Sequence, residues 1–464
     1  ILNPVTSFSQ YLQGLGSRIK GLTIDKNNPQ KVTVELNEAS IQNPHMLNGV
    51  PIIDKRFFDP EGVLDGYSLE VLLQNSPELQ SDSTLITWGE IMNHSDNSLK
   101  PENLRGVTGP YQIVEWAAKD YVKLSRNPNY WAAGRKGSLY SQGAKQIIYR
   151  FQRQPESLKL QTKQGVYDAL SYVPYKVWES LKENSAVTQE YDFLSGNRNS
   201  HLFLGFNCRP DGIKHKKIFD DWRVRRAVAH LISIEEYNKE WYGGFGKPIT
   251  TPVPVGSDDY HTGLQPRVRS RDSAEYWLDQ AGWKDNDGDL IREKMIEGKM
   301  VPLQATLSIA TGRESQEAFS GKLVSEARAV GMDITTEQLA MSKLGQKYQS
   351  KTHDYDMLVL GLNYGIAPYE FNQQWTTEAL FQNSNFAGYT NPVIDSLNNL
   401  SLKTFDLEER RPIIKKMQEV WFRDQPNIML IQLPAFSLTH KRYGRKSLSK
   451  AQPYLWLNTL VPTE

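Results

Sequence analysis

Hydrophobic and polar positions along the chain follow two periods. A period of two marks a half-buried strand, and a period of about 3.6 marks a helix with one buried face. Lys31 to Leu36 (KVTVEL) alternates strictly, after the Asn27-Asn28-Pro29 turn and before Asn43-Pro44. Tyr111–Val114 and Tyr121–Leu124 read as the arms of a hairpin, led in by Gly109-Pro110 and closed by Asn127-Pro128. Further strands are expected at Ile147–Phe151, Val166–Leu170, Leu202–Phe206, Leu303–Ala310, Asp333–Gln338 and Tyr355–Leu360. Helical spacing marks Glu156–Gln164, Asp221–Leu231, Ser273–Ala281, Glu314–Val330 and Glu408–Phe422, and Gly165, Gly282 and Gly331 stand where three of them must stop. Ile428–Leu438 is interrupted by Gln432 and Pro434. It reads as a buried strand and falls far short of the ~18 apolar residues that a bilayer span needs. This mixture of strands and helices predicts an α/β fold, clearest in the strand–helix–strand–helix–strand run from Leu303 to Leu360.

At 464 residues the chain has length for roughly three domains. Its 54 basic against 53 acidic residues leave a net charge of +1, so no global field exists to hold nucleic acid or an anionic membrane. An aromatic content of 11% argues against disorder. The single cysteine, Cys208, excludes an intrachain disulfide, and beside eight histidines it excludes a cysteine-rich zinc site. The chain opens at Ile1 without the apolar core of a signal peptide, so any such segment is expected to have been removed or to lie outside the sequence.

Searches for catalytic motifs fail: there is neither a Gly-x-Ser-x-Gly elbow nor His-Glu-x-x-His. Gly243-Gly244-Phe245-Gly246-Lys247 lacks phosphate-loop spacing, and Pro248 replaces the magnesium-binding hydroxyl, so a turn after a helix is expected. Asp285, Asp287 and Asp289 alternate as calcium ligands do, but Leu290 and Ile296 occupy the Gly and Glu places of a full loop. A solvated turn is the expectation there, with calcium the lesser alternative. Arg223, Arg225 and Arg226 are expected on a solvated helix face with capping contacts. Residues 361–371 leave the C-terminal end of a predicted strand, where ligands sit in open α/β sheets.

Four stretches together resemble the family 5 extracellular solute-binding proteins of ABC importers, the oligopeptide-, dipeptide- and nickel-binding group. The first is Gly106-Val-Thr-Gly109-Pro110-Tyr111, Val114-Glu-Trp116 and Leu124-Ser-Arg126-Asn127-Pro-Asn-Tyr130-Trp131. The second is Phe206-Asn207 with Asp221-Trp-Arg223-Val224-Arg225-Arg-Ala227-Val, then Gly244-x-Gly246-Lys-Pro248 and Pro252-x-Pro254. Ala281-Gly282-Trp283-Lys-Asp285-Asn-Asp287-Gly-Asp289-Leu-Ile-Arg292-Glu is the third. Tyr355-Asp356, Gly361, and Gly388-Tyr389-x-Asn391-Pro392-x-x-Asp395 complete the set.

The resemblance implies a two-lobed, type II (cluster C) binding-protein fold with an extra domain on the first lobe, and a chain that starts inside that extra domain. It divides the chain into 1–95 (the rest of the extra domain), 96–200 with 436–464 (lobe I) and 201–435 (lobe II). Crossing strands are expected near Leu202–Asn207 and Leu430–Leu438. It implies a monomer in the periplasm, or a lipoprotein held at the membrane, that needs no cofactor, catalyses nothing, and passes peptides to an ABC permease. The alternative ligand is a metal chelate, a sugar or another small nutrient. Asn363 and Tyr364 are expected to make polar contacts, Tyr369 and Trp375 to form apolar walls, and Phe206 and Asn207 to sit at the hinge.

Two positions depart from the pattern. The resemblance implies an Asp for the ligand's α-amino group where this chain has Asn363-Tyr364-Gly365, so either Glu370 substitutes or the ligand is uncharged there. Leu362 stands where many members carry Trp. His201, near the hinge strand, is the one histidine placed to suggest a nickel chelate, but a hydrogen-bonded structural histidine is the expectation.

Overall fold

The computed structural model describes residues 18–464 apart from 29, 49–54, 69–70, 73–75, 94–107, 136–139, 141, 153, 210–215, 350–353, 365–368, 370, 372–373, 379–384, 386, 445–456, 458–459 and 463–464. Among its described residues the N-terminal part holds an antiparallel ribbon of β1 (Ile19–Ile24) and β2 (Val32–Leu36) and four α-helices. These are α1 (Asn43–Asn48), α2 (Lys55–Phe58), α3 (Pro77–Gln80) and α4 (Ser83–Asn93). A three-stranded antiparallel sheet follows: β3 (Tyr111–Ala117), β4 (Tyr121–Arg126) and β5 (Gln146–Arg150). The hairpin expected from Tyr111 and Tyr121 is therefore present, with a shorter turn because both arms run on.

The main sheet has seven strands among the described residues. Its short members are β6 (Ala169–Leu170) and β8 (Lys247–Pro248), and the expected strand at Val166–Leu170 shrinks to the first of these. Its two longest are β7 (Tyr191–Phe206) and β14 (Asn427–His440). Between them in sequence lies a separate antiparallel pair, β9 (Glu293–Ile296) and β10 (Lys299–Pro302). Then come β11 (Gln304–Ala310), β12 (Asp333–Leu339) and β13 (Met357–Asn363), the α/β unit expected from the sequence. The order is β12-β11-β13-β7-β14-β6, with β8 on β14. β11 runs parallel to both β12 and β13, whereas β7 is antiparallel to β13 and to β14.

Alternate residues of these strands feed opposite cores, as the pleat requires. Leu202, Leu204, Phe206, Met357, Val359, Ile428 and Leu430 face one buried cluster. Its cover is α8 (Trp222–Ala229), α9 (Ile234–Tyr242), α10 (Arg271–Gln280) and α11 (Glu314–Arg328). Phe203, Leu358, Leu360 and Met429 face the other, under α12 (Met341–Gln349), α13 (Pro392–Lys403) and α14 (Leu407–Asp424). A third cluster lies at the far end of the two long strands, where Phe436, Leu438 and Tyr191 meet Val177, Trp178 and Leu181. Those last three belong to α6 (Tyr175–Lys182), which lies in sequence between α5 (Pro155–Lys163) and α7 (Ser185–Glu190).

Several signature residues are explained by backbone geometry. Asn127 donates to the Gly109 carbonyl at 2.9 Å and accepts from the Asn129 amide at 3.0 Å, tying the end of β4 to the start of β3. Gly388 has φ +72, and a Cβ there would stand 2.4 Å from the Arg209 Cα. Only glycine meets both conditions. Asn391 caps α13 by accepting from the Val393 amide at 2.9 Å.

Candidate functional site

β7 and β14 run side by side from the third cluster into the two larger cores, so every side chain between these cores is placed by one ladder. That ladder shifts register twice, between Met429 and Ile431 and, more widely, between Gln432 and Pro434. Gln432 pairs with His201 and Pro434 with Asn197, so Arg198, Asn199 and Ser200 oppose the single residue Leu433. A proline cannot donate to the ladder, and such bulges re-aim a strand. Gln432 pins the bulge: its amide nitrogen donates to the Arg198 carbonyl at 2.9 Å and its oxygen accepts from the Val255 amide at 2.7 Å. This register shift falls at Asn197–His201, about five residues before the crossing expected near Leu202–Asn207.

β13 ends beside this bulge. Leu362 pairs with His201 and Asn363 with Ser200, and the Tyr364 amide donates to the Asn199 carbonyl at 2.8 Å. The Tyr364 ring stacks on the His201 imidazole at 4.1 Å and 24°, and meets Tyr369 edge-on at 6.1 Å. Tyr369 is fixed through its backbone, whose carbonyl accepts from the Arg410 guanidinium. Asp259 lies 3.8 Å from Arg410, and burial raises its carboxyl despite that cation. Burial also pushes the Tyr369 hydroxyl up to about 12 and that of Tyr364 well above its ordinary value.

Leu362, Asn363, Tyr364 and Tyr369 are thus brought together. Asn363 is exposed, and Leu362, Tyr364 and Tyr369 are half-buried. Trp375 lies beneath them in the core, edge-on to Trp421 at 5.3 Å. Glu370 lies outside the described residues. Phe206 and Asn207, expected at the hinge, lie away from this bulge. Phe206 pairs with Met357 at the opposite end of β13, six residues from Ser200 and hence roughly 20 Å away. Its ring packs on Phe219 at 4.8 Å, and the buried Asn207 side chain donates to the Tyr355 carbonyl at 2.9 Å.

The acidic triplet forms a self-capped exposed turn. Asp285 accepts from the Gly288 and Leu290 amides at 2.7 and 3.1 Å, and Asp287 and Asp289 accept from the amides two residues on. Its oxygens lie within 4.8 Å of one another, but their hydrogen bonds account for the loop without an ion. Sequence reasoning missed Gln432 as an anchor and took His201 as a satisfied residue. The signal for the first was present: an amide interrupting an apolar strand must have a buried partner.

A sheet with helices on both faces, continued by two long strands into a second core, defines a two-lobed binding-protein fold. AppA of Bacillus subtilis, solved with a nonapeptide, shares it with a TM-score of 0.76 at 17% identity, over 99% of this chain and 83% of that one. NikA of Staphylococcus aureus, solved with Ni(L-His)2, shares it with a TM-score of 0.65 at 17% identity, over 100% and 83%. The chain belongs to the bacterial extracellular solute-binding proteins, family 5, whose pattern matches residues 3–382. In sequence it is 22% identical to the oligopeptide-binding AppA over 331 residues. It is 23% identical over 330 residues to the glutathione-binding protein GsiB of Salmonella choleraesuis. Those matches cover 70% of this chain but only 56% and 58% of the relatives' own lengths. Among the described residues no helix is long and apolar enough to cross a membrane.

Proposed function

We propose that the protein captures peptides between its two lobes and presents them to an ABC permease. The observation that carries this reading is the break in the β7–β14 ladder beside the end of β13. A bulge held by one glutamine lets two rigid bodies rotate while the strands stay continuous. The ligand would be enclosed against Leu362, Asn363, Tyr364 and Tyr369, with Glu370 the carboxylate available for an α-amino group. The division into 1–95, 96–200 with 436–464, and 201–435 is part of the proposal, supported by the bulge lying beside both crossing points. Export, supported by the family's extracellular description, completes it, together with attachment as a lipoprotein, a monomeric state and the absence of catalysis.

A metal chelate is the second reading, favoured by the shared fold of a nickel-binding relative. Among the described residues, however, His, Cys, Asp and Glu gather into a metal-competent group only at the exposed Asp285–Asp289 turn. Thermal unfolding separates the two. A tryptic casein digest is expected to raise the unfolding temperature in a concentration-dependent way, as any ligand of the native state does. A rise with nickel and histidine, and none with the digest, would overturn the peptide reading.

A further inference from the structure

His201 is only 3% exposed, and neither of its ring nitrogens has a hydrogen-bond partner. The hydroxyl of Tyr364, stacked on it at 4.1 Å, is likewise buried and unpartnered. Two orphaned polar groups in contact are unusual, because buried polar atoms are nearly always paired. Both lie at the strand bulge where one lobe gives way to the other, and Tyr364 directly follows the last residue of β13. A neutral imidazole offers one donor and one acceptor, and a phenol offers the same pair.

Among the described residues, no charged side chain acts on either ring. Burial alone holds the imidazole down at about 3, and only Tyr369 and Tyr260 act beside burial on the Tyr364 hydroxyl. A charged ligand group here would lie in a dry site without a counter-ion, at high cost. An amide satisfies both kinds of valence and carries no charge.

We propose that His201 and Tyr364 form an uncharged hydrogen-bonding floor that receives a neutral amide of the bound solute, from a peptide backbone or a carboxamide side chain. This rests on the peptide-binding reading and adds a selectivity to it: the floor rejects ammonium and carboxylate groups. His201 is then a binding residue, and its stack on Tyr364 aligns the two polar edges.

The test uses the full chain incubated with a tryptic casein digest, exchanged into volatile buffer, and read by native mass spectrometry. Three variants are compared: His201→Phe, which keeps the stacked ring but removes both valences; His201→Gln, which restores one donor and one acceptor; and Tyr364→Phe. The expected result is about tenfold weaker peptide binding in His201→Phe and Tyr364→Phe, read as lower occupancy at sub-saturating digest, the loss of one hydrogen bond of ordinary strength. Retention is expected to recover in His201→Gln. Equal occupancy in His201→Phe and the native protein would overturn the proposal, as it would if the buried valences served only a water molecule. Equal losses in His201→Phe and His201→Gln would also overturn it, since shape and not hydrogen bonding would then be at work. If the native protein itself retains no peptide, the reading beneath the proposal fails first.

Discussion

Asn127, Asn391 and Gln432 each place a side-chain amide where the backbone would otherwise lack a partner, and each was legible in the sequence as a polar residue beside a turn or inside an apolar run. His201 was not. It stands between the polar run Asn197 to Ser200 and the apolar run Leu202 to Leu204, and only the fold shows that β13 and β14 flank it on both sides. Its burial has a consequence for stability. The folded imidazole takes a proton only near pH 3, whereas in the unfolded chain it does so near 6.5. Between those values the unfolded state binds the extra proton, so this residue makes stability fall as pH is lowered. Urea unfolding from pH 4 to 6 is expected to show a slope of up to about 1.4 kcal/mol per pH unit that His201→Phe removes. Equal slopes in the two proteins would contradict the buried, neutral imidazole.

At the scale of elements, periodicity located most helices to within a few residues, because their apolar faces are regular. It failed on β7, where only Leu202–Phe206 was visible. The first part of that strand, Tyr191 to His201, carries Ser, Gly, Arg and two Asn, and pairs because β14 lies beside it. The arginine run on α8 was half legible. Arg223 binds Asp221 at the surface, as a solvated face predicts. Arg225 instead turns inward and donates to the carbonyls of Phe219, Asp220, Asp424 and Gln425, closing the C-terminal end of α14. Arg226 adds a bond to the Arg423 carbonyl and lies between the rings of Trp222 and Trp277. A helix end buried without donors is costly. Arg225→Met is therefore expected to destabilise the protein by roughly 3 kcal/mol, and Arg223→Ala by less than about 1 kcal/mol. Urea unfolding checks the pair, and hydrogen exchange should show faster opening at 421–425 in the first variant alone.

At the scale of the molecule, the α/β class and the family resemblance could be read from motifs, since those motifs mark backbone positions with a single solution. The inter-lobe geometry could not, because it depends on a register shift of a few residues and on contacts distant in sequence. One such contact joins Tyr175 and Trp178 to Phe245 and Phe436, with Lys176 3.7 Å over the ring of Trp241. Gly243 makes the approach feasible: a Cβ there would lie 2.3 Å from the Tyr175 ring, and φ is +59. These contacts join helix Tyr175–Lys182 to Phe245, just after α9, and to Phe436 on β14, so the proposed rotation at the bulge would slide that helix against the α9 region. The most direct test of the account is small-angle X-ray scattering of the protein alone and with tryptic casein peptides at saturation, the saturation fixed by the shift in unfolding temperature. A smaller radius of gyration in the saturated protein is the predicted result. An unchanged scattering curve from protein that demonstrably holds peptide would contradict enclosure between two moving lobes.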